Sequence, residues 1–347
     1  MANLQDYQLF YALANGRAID TATLIEEYEQ IKPLEGDAFF EKYGLGNING
    51  ITLYPYERLK GYEIVLDVLE SHNPTHFREI HKGTPYYFMA WLSIQMEDYE
   101  KGVFYIDTSI SEDLRLLGSA WDINASEPTP GIKFTLLIDA NIQVASDAAI
   151  KLETLVSQEL MAFSSAAQVS LSKDLFIQKF IKDSGLFRNG TFRTIVTSLY
   201  SYILEFQSRR TQLKIRSSEE GSIEPFLTHL FKGCVILESL LKLKAPGDTA
   251  QTLDPAIRAH NATLGIDLDT FPRKTSFEQV INNMVNLKAQ NADYKNVCFA
   301  TAYGMRNTTG HQLAWPDVFR TAPETYEQAY ESILGAIFWS IYKLWVE

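Results

Sequence analysis

Three observations predict an all-α protein. Apolar residues recur at helical spacing through most of the 347 positions. No series of alternating strands joined by hairpin turns interrupts them. The gaps between apolar segments carry helix stops and starts, as at Asn73-Pro74 and Asn189-Gly190. A hydrophobic content of 46% with 21% charged residues suits a globular chain with a large core. The length predicts about two domains.

Each element has its own local reason. Leu9, Phe10, Leu13 and Ala14 mark a short helix, and Thr21 or Thr23 is placed to cap the next. Gly36 to Pro55 is rich in turn residues. Leu59 to Leu69 is amphipathic and stops at Asn73-Pro74. In Gly83–Leu117, Pro85 suits a first helical turn. Met89, Leu92, Ile94 and Met96 follow, then a polar break at Glu97-Asp98. Tyr99, Val103, Ile106 and Ile110 line a second helix, and Ala90 and Gly102 allow close approach. Trp121 to Gly131, with two prolines and a glycine, reads as a linker. Phe134 to Phe163 reads as one or two long helices, followed by helices over Lys173–Lys182 and Thr191–Gln212. A polar break at 217–222 precedes the last third. There Phe226 to Lys244 is helical, Ser276 and Gln279 form a capping box, Asp293 caps another helix, and Tyr326 to Trp345 is the last.

Charge is unevenly placed. Residues 1–131 hold 9 Lys/Arg against 21 Asp/Glu, a net of −12, which equals the charge of the whole chain. Residues 132–220 are +2 and 221–347 are −2. An acidic region repels nucleic acid and membrane surface and suits a protein partner or inhibitor. Two cysteines, Cys234 and Cys298, exclude a disulfide scaffold and an all-cysteine metal cage, and both sit at core spacing. No apolar run reaches the ~18 residues of a membrane span. No secretory signal pattern opens the chain, so a reduced, cytoplasmic protein is expected. His72, His76 and His81 lack a shared helical face and a carboxylate set, so neither metal nor cofactor is expected. Gly44-Leu-Gly46-Asn-Ile-Asn-Gly50 follows no strand and lacks the Lys-Ser/Thr of a nucleotide loop.

The segment Gly83–Leu117 resembles a tetratricopeptide helical hairpin, with Tyr99 and Gly102 where that family has Tyr and Ala. It covers one unit and departs from the pattern at several positions. The expected organisation is an acidic helical-hairpin region over 1–131, a middle helical segment over 132–220, and a helical bundle over 221–347.

The chemistry-bearing stretch is Ala302-Tyr-Gly-Met-Arg-Asn-Thr-Thr-Gly-His-Gln-Leu. Arg306 and His311 bracket a helix end, with Thr308, Thr309 and Gly310 to make a turn. Arg holds its charge at any physiological pH, while His titrates near neutrality. That pair suits phosphodiester chemistry, with His moving a proton and Arg holding phosphate charge. The bland reading is an ordinary C-cap by Arg306 and Asn307 with a surface histidine.

Arg306-Asn307-x-x-x-His311 before a final amphipathic helix resembles the HEPN superfamily, whose signature is Arg, four to six residues beginning with a polar one, then His. Cys234-Val-Ile-Leu-Glu238-Ser-Leu-Leu-Lys242 supplies the earlier helix with an acidic residue that several of its families have. The resemblance spans about residues 223–345. It implies a HEPN-like bundle of four or five helices and a metal-independent endoribonuclease, of the kind that serves as a toxin or anti-phage effector. Such enzymes act as homodimers with the two motifs facing each other. His311 would take the 2′-OH proton, Arg306 would stabilise the phosphorane, Asn307 would hold the turn or the phosphate, and Glu238 would orient Arg306 or His311. Read from spacing alone, Glu238 pairs equally well with Lys242 at i+4.

The basic run Arg209, Arg210, Lys214, Arg216 is the best phosphate-tracking patch outside the last third if RNA binds, and otherwise a solvated helix end. Ile333, Ile337, Phe338, Ile341, Tyr342 and Trp345 give the last helix more apolar surface than one bundle flank needs, which predicts that some of it, or the face around Arg306, is buried in a two-fold dimer. The alternative function is a helical-repeat interaction protein whose bundle is a non-catalytic dimerisation module.

Overall fold

The computed structural model describes residues 10–12, 18–45, 54–138, 143–215, 224–244, 252–272, 276–309 and 324–347. Among these residues there are helices and no strand, the all-α class expected from the spacing of apolar residues. The chain forms two compact units, Met1–Glu153 and Thr154–Glu347.

In the first unit α1 spans Thr21–Gln30. Its N-cap is Asp20, whose carboxylate accepts from the backbone of Ala22 at 3.1 Å and Thr23 at 3.4 Å. The expected threonine caps fall inside the helix, and Thr23 instead donates its hydroxyl to Asp20 at 2.6 Å. Helices α2 (Gly36–Lys42), α3 (Pro55–His72) and α4 (Pro74–Glu79) follow. Asn73 ends α3 and caps α4 by accepting from His76 N–H at 3.1 Å.

Helices α5 (Gly83–Gln95) and α6 (Tyr99–Leu117) make the hairpin expected over that stretch. Asp98 caps α6 by accepting from Lys101 N–H. The close approach at Gly102 is steric. A Cβ there would lie 2.5 Å from Ile94 Cγ1 and 3.2 Å from the Ala90 carbonyl. The core gathers on Trp91, which meets Tyr87 and Phe134 edge to face at 5.7 and 5.5 Å.

Helix α7 (Pro130–Thr135) packs on α6, with Gly131 against Ile110. The linker-like stretch therefore leads back onto the hairpin, and residue 131 falls inside the first unit. The apolar run beyond it breaks at Leu137, which adopts φ +55°. The next described helix is α8 (Gln143–Ala167).

The second unit takes α8 from Thr154 onward. A turn of helix, Lys173–Leu175, runs on as a π-helix over Phe176–Lys182; together they are α9. Helix α10 (Gly190–Ile215) starts at Asn189, which accepts from Thr191 N–H at 2.8 Å. Then come α11 (Glu224–Lys244), α12 (Leu253–Leu264), α13 (Phe277–Ala289), α14 (Tyr294–Thr309) and α15 (Glu324–Ile341). A π-helical turn, Tyr342–Val346, continues α15. The Ser276–Gln279 capping box forms as its sequence predicts. The break expected at 217–222 lies outside the described residues.

Helix α15 packs on α11 and α14, and Ile333, Ile337, Phe338 and Ile341 are completely buried within the chain. Only Tyr342 and Trp345 of the face assigned to a dimer remain partly exposed. The bundle itself consumes the apolar surface credited to a second copy. Beside it lies a column of rings. Phe206 and Tyr330 stack at 3.7 Å and 3°, and Tyr202 and His229 stack at 4.4 Å. His229 donates Nε2–H to the Tyr202 carbonyl at 2.8 Å and accepts from the Tyr326 hydroxyl at Nδ1, also at 2.8 Å. Burial pushes its pKa down to about 3, so the ring is neutral, with its proton fixed on Nε2.

Candidate functional site

Helix α14 turns a stripe of Cys298, Ala302 and Met305 into the bundle, all completely buried. Arg306 follows the last of these and stands at the edge of the stripe, with 28% of its side chain exposed. Helix α11 buries Cys234, Leu237 and Leu241. The Cys234 thiol donates to the Ala302 carbonyl at 3.4 Å and fixes where the two helices meet. Burial raises the thiol's pKa to about 12, so it acts as packing rather than as a nucleophile.

Phe231 and Glu238 lie two turns apart on one face of α11. Arg306 spans them. Its Cζ lies 4.9 Å from the centre of the Phe231 ring, and its Nε donates to Glu238 Oε2 at 2.9 Å. Glu238 is nearly buried, and its other oxygen accepts from Lys242 Nζ at 2.6 Å. Glu238 thus contacts Lys242 at i+4 and Arg306 from the neighbouring helix at once. Each of its oxygens is held by one cation, and the carboxylate fixes the place of the Arg306 guanidinium.

Among the described residues Nε makes the only hydrogen bond of the Arg306 guanidinium. The two η nitrogens form the planar fork that matches a phosphate. Asn307 is exposed at the same helix end. The positive end of Arg306 also sits where helix carbonyls gather negative potential. His311 lies outside the described residues, so its placement against Arg306 does not enter the geometry.

The basic run is differently placed from its sequence reading. Arg209 pairs with Glu205 at 3.0 Å, and Arg210 and Lys214 both reach Glu327, at 2.8 and 3.1 Å. Glu205 also binds Lys232 at 2.6 Å, and its carboxyl stays below the usual range because Lys232 and the Ser201 hydroxyl outweigh its burial. Charges that looked available for phosphate are held by two shared carboxylates, Glu205 and Glu327. Arg216 lies outside the described residues.

The three histidines of the first unit go to three destinations. His72 meets Glu29 at 2.7 Å, and His76 Nε2 donates to the Tyr28 carbonyl at 2.7 Å. His81 sits between two carboxylates, Asp37 Oδ2 on Nδ1 and Asp113 Oδ1 on Nε2, both at 3.0 Å. This cluster escaped the sequence reading because its members lie 44 and 32 residues from His81. Among the described residues no three His, Cys, Asp or Glu are grouped to hold a metal ion, and no helix is long and apolar enough to cross a membrane. Comparison of the chain with family models, with curated proteins and with solved structures finds no match in any of the three.

Proposed function

We propose that the chain is a metal-independent endoribonuclease of HEPN type, acting on RNA as a homodimer in a toxin or defence role. The observation that carries this reading is the state of Arg306. Its guanidinium is anchored at Nε by a nearly buried carboxylate and supported by Phe231, while its η nitrogens keep their fork. An ordinary helix cap needs no such brace. A phosphate-binding arginine does, because a positioned charge costs little reorganisation when the phosphorane forms.

In the reaction, His311 removes the proton from a ribose 2′-OH. The 2′ oxygen forms a bond to the adjacent phosphorus, and the bond from phosphorus to the 5′ oxygen breaks. The 5′ oxygen takes a proton from water, leaving a 5′-hydroxyl and a 2′,3′-cyclic phosphate. Arg306 holds the charge on the non-bridging oxygens, Asn307 supports the turn or the phosphate, and Glu238 holds Arg306. DNA lacks the nucleophile. The acidic first region offers a surface to a protein partner or inhibitor.

The test is an RNA-cleavage assay on the purified chain beside His311→Ala and Arg306→Ala, all in EDTA. Cleavage by the wild type alone is expected, since a positioned acid or base contributes about 100- to 10,000-fold. Equal cleavage by all three proteins would overturn the assignment.

A second reading, an interaction protein with a non-catalytic bundle, is favoured by the pairing of Arg209, Arg210 and Lys214 with carboxylates. It predicts that no version cleaves RNA, and that toxicity in cells is the same for wild type and His311→Ala.

A further inference from the structure

In the first unit a cavity of about 300 Å³ opens between α2, α5, α6 and the start of α7. Its charged lining is Asp37, His81 and Asp113. Leu34, Phe88 and Leu116 give it an apolar body. The site is sterically built. Gly83 opens α5 against the His81 ring, and a Cβ there would lie 2.6 Å from His81 Cε1 and 3.2 Å from Asp113 Oδ1.

The hydrogen-bond capacity of the wall selects a ligand. The His81 imidazolium spends both N–H groups on the two carboxylates. It keeps no donor for an anion. Asp37 spends its other oxygen on the Thr84 backbone N–H at 3.3 Å. Asp113 Oδ2 has no bond to a described residue, so the wall offers an acceptor and carries a net charge of −1. Two buried hydroxyls without a partner complete it. Tyr87 is 3% exposed, and its O–H finds no acceptor among the described residues; the neighbouring Trp91 indole can only donate. The Thr129 hydroxyl is also buried without a partner. Buried polar groups left without a partner cost stability, and a ligand that supplies one removes that cost.

From these demands we infer that the cavity is a binding site for a small organic cation. The ligand is an amine on an apolar or aromatic body, with an oxygen acceptor at its far end. The ammonium donates to Asp113 and faces the excess negative charge. The body lies on Leu34, Phe88 and Leu116. The acceptor oxygen takes the Tyr87 and Thr129 hydroxyls. A carboxylate in place of the amine meets two like charges.

The test uses three probes of matched shape on the full chain: tyramine, its neutral alcohol analogue tyrosol, and 4-hydroxyphenylacetate. Calorimetric titration near neutral pH is expected to show tyramine binding at least about tenfold tighter than tyrosol, the effect of one charge-assisted hydrogen bond. The acid should not bind. Asp113→Asn should bring tyramine down to the affinity of tyrosol. Tyr87→Phe, which removes a hydroxyl without an acceptor and keeps the ring packing, should weaken tyramine by about threefold or more while leaving the melting temperature unchanged or raised. Equal affinity for tyramine and tyrosol, preference for the acid, absence of binding by all three, or tyramine binding untouched by both substitutions would each overturn the assignment.

Discussion

Raising the pH should release the clamp around His81. Burial draws the imidazole pKa down, but the hydrogen bonds and charges of Asp113 and Asp37 outweigh it and raise the value from 6.5 to about 9. Asp37 correspondingly stays below the usual carboxylate range against its burial, because of His81 and Thr84. His81 and Asp113 are buried, so solvent screens that pair little, whereas Asp37 is about half exposed. At about 1.4 kcal/mol per pH unit, the displacement corresponds to roughly 3 kcal/mol of stability. The folded value lies above the unfolded one. The contribution is therefore fully present below 6.5 and is lost as pH rises toward and through 9. Urea unfolding of wild type and His81→Gln, at about pH 6 and about pH 10, isolates this group, because other titrations, including that of Lys82, occur in both proteins. The gap between the two proteins should narrow by about 3 kcal/mol across that range. A gap that stays constant, or a His81 ring proton that titrates by NMR near its ordinary value, would refute the reasoning.

Three further outcomes are expected. Glu238→Gln keeps the size of the Arg306 anchor but removes its charge, and should cost about 1–3 kcal/mol in thermal unfolding while lowering any RNA cleavage. Gly102→Ala places a methyl 2.5 Å from Ile94 Cγ1 and should destabilise by about 1–3 kcal/mol in denaturant unfolding, since helix α6 must move away. Lys214→Ala should cost under about 1 kcal/mol, because the lysine is half exposed and Glu327 keeps Arg210.

What the sequence disclosed was local. The hairpin of α5 and α6 was legible because Asp98, Ala90 and Gly102 mark a break and a close approach within a few turns. The α1 cap was misplaced because Asp20, Thr21 and Thr23 are all competent caps, and backbone geometry alone selects among them. Glu238 and Lys242 were readable as an i+4 pair, whereas the reach of Arg306 to the same carboxylate needs the packing of α11 on α14. The apolar face of α15 suggested a second copy because its intrachain neighbours are scattered along the sequence, Phe163 and Phe176 against Phe338 among them. Likewise, Glu327 engages two residues of the basic run from a helix distant in the sequence, so the run looked free. The carboxylates that enclose His81 follow the same logic, since charge pairing between distant segments leaves no periodic trace.

The ring column of the second unit has an optical consequence. Burial raises the phenol pKa values of Tyr202, Tyr326 and Tyr330 well above the ordinary value. In the unfolded chain the same phenols ionise near pH 10. Alkali therefore favours the unfolded state, which alone can shed those protons, and stability falls above that pH. Phenolate absorbance should rise in two stages: a smooth one from accessible tyrosines, then an abrupt, time-dependent one as the second unit opens. The 18 tyrosines thus give a colourless protein an internal gauge of whether its bundle is closed.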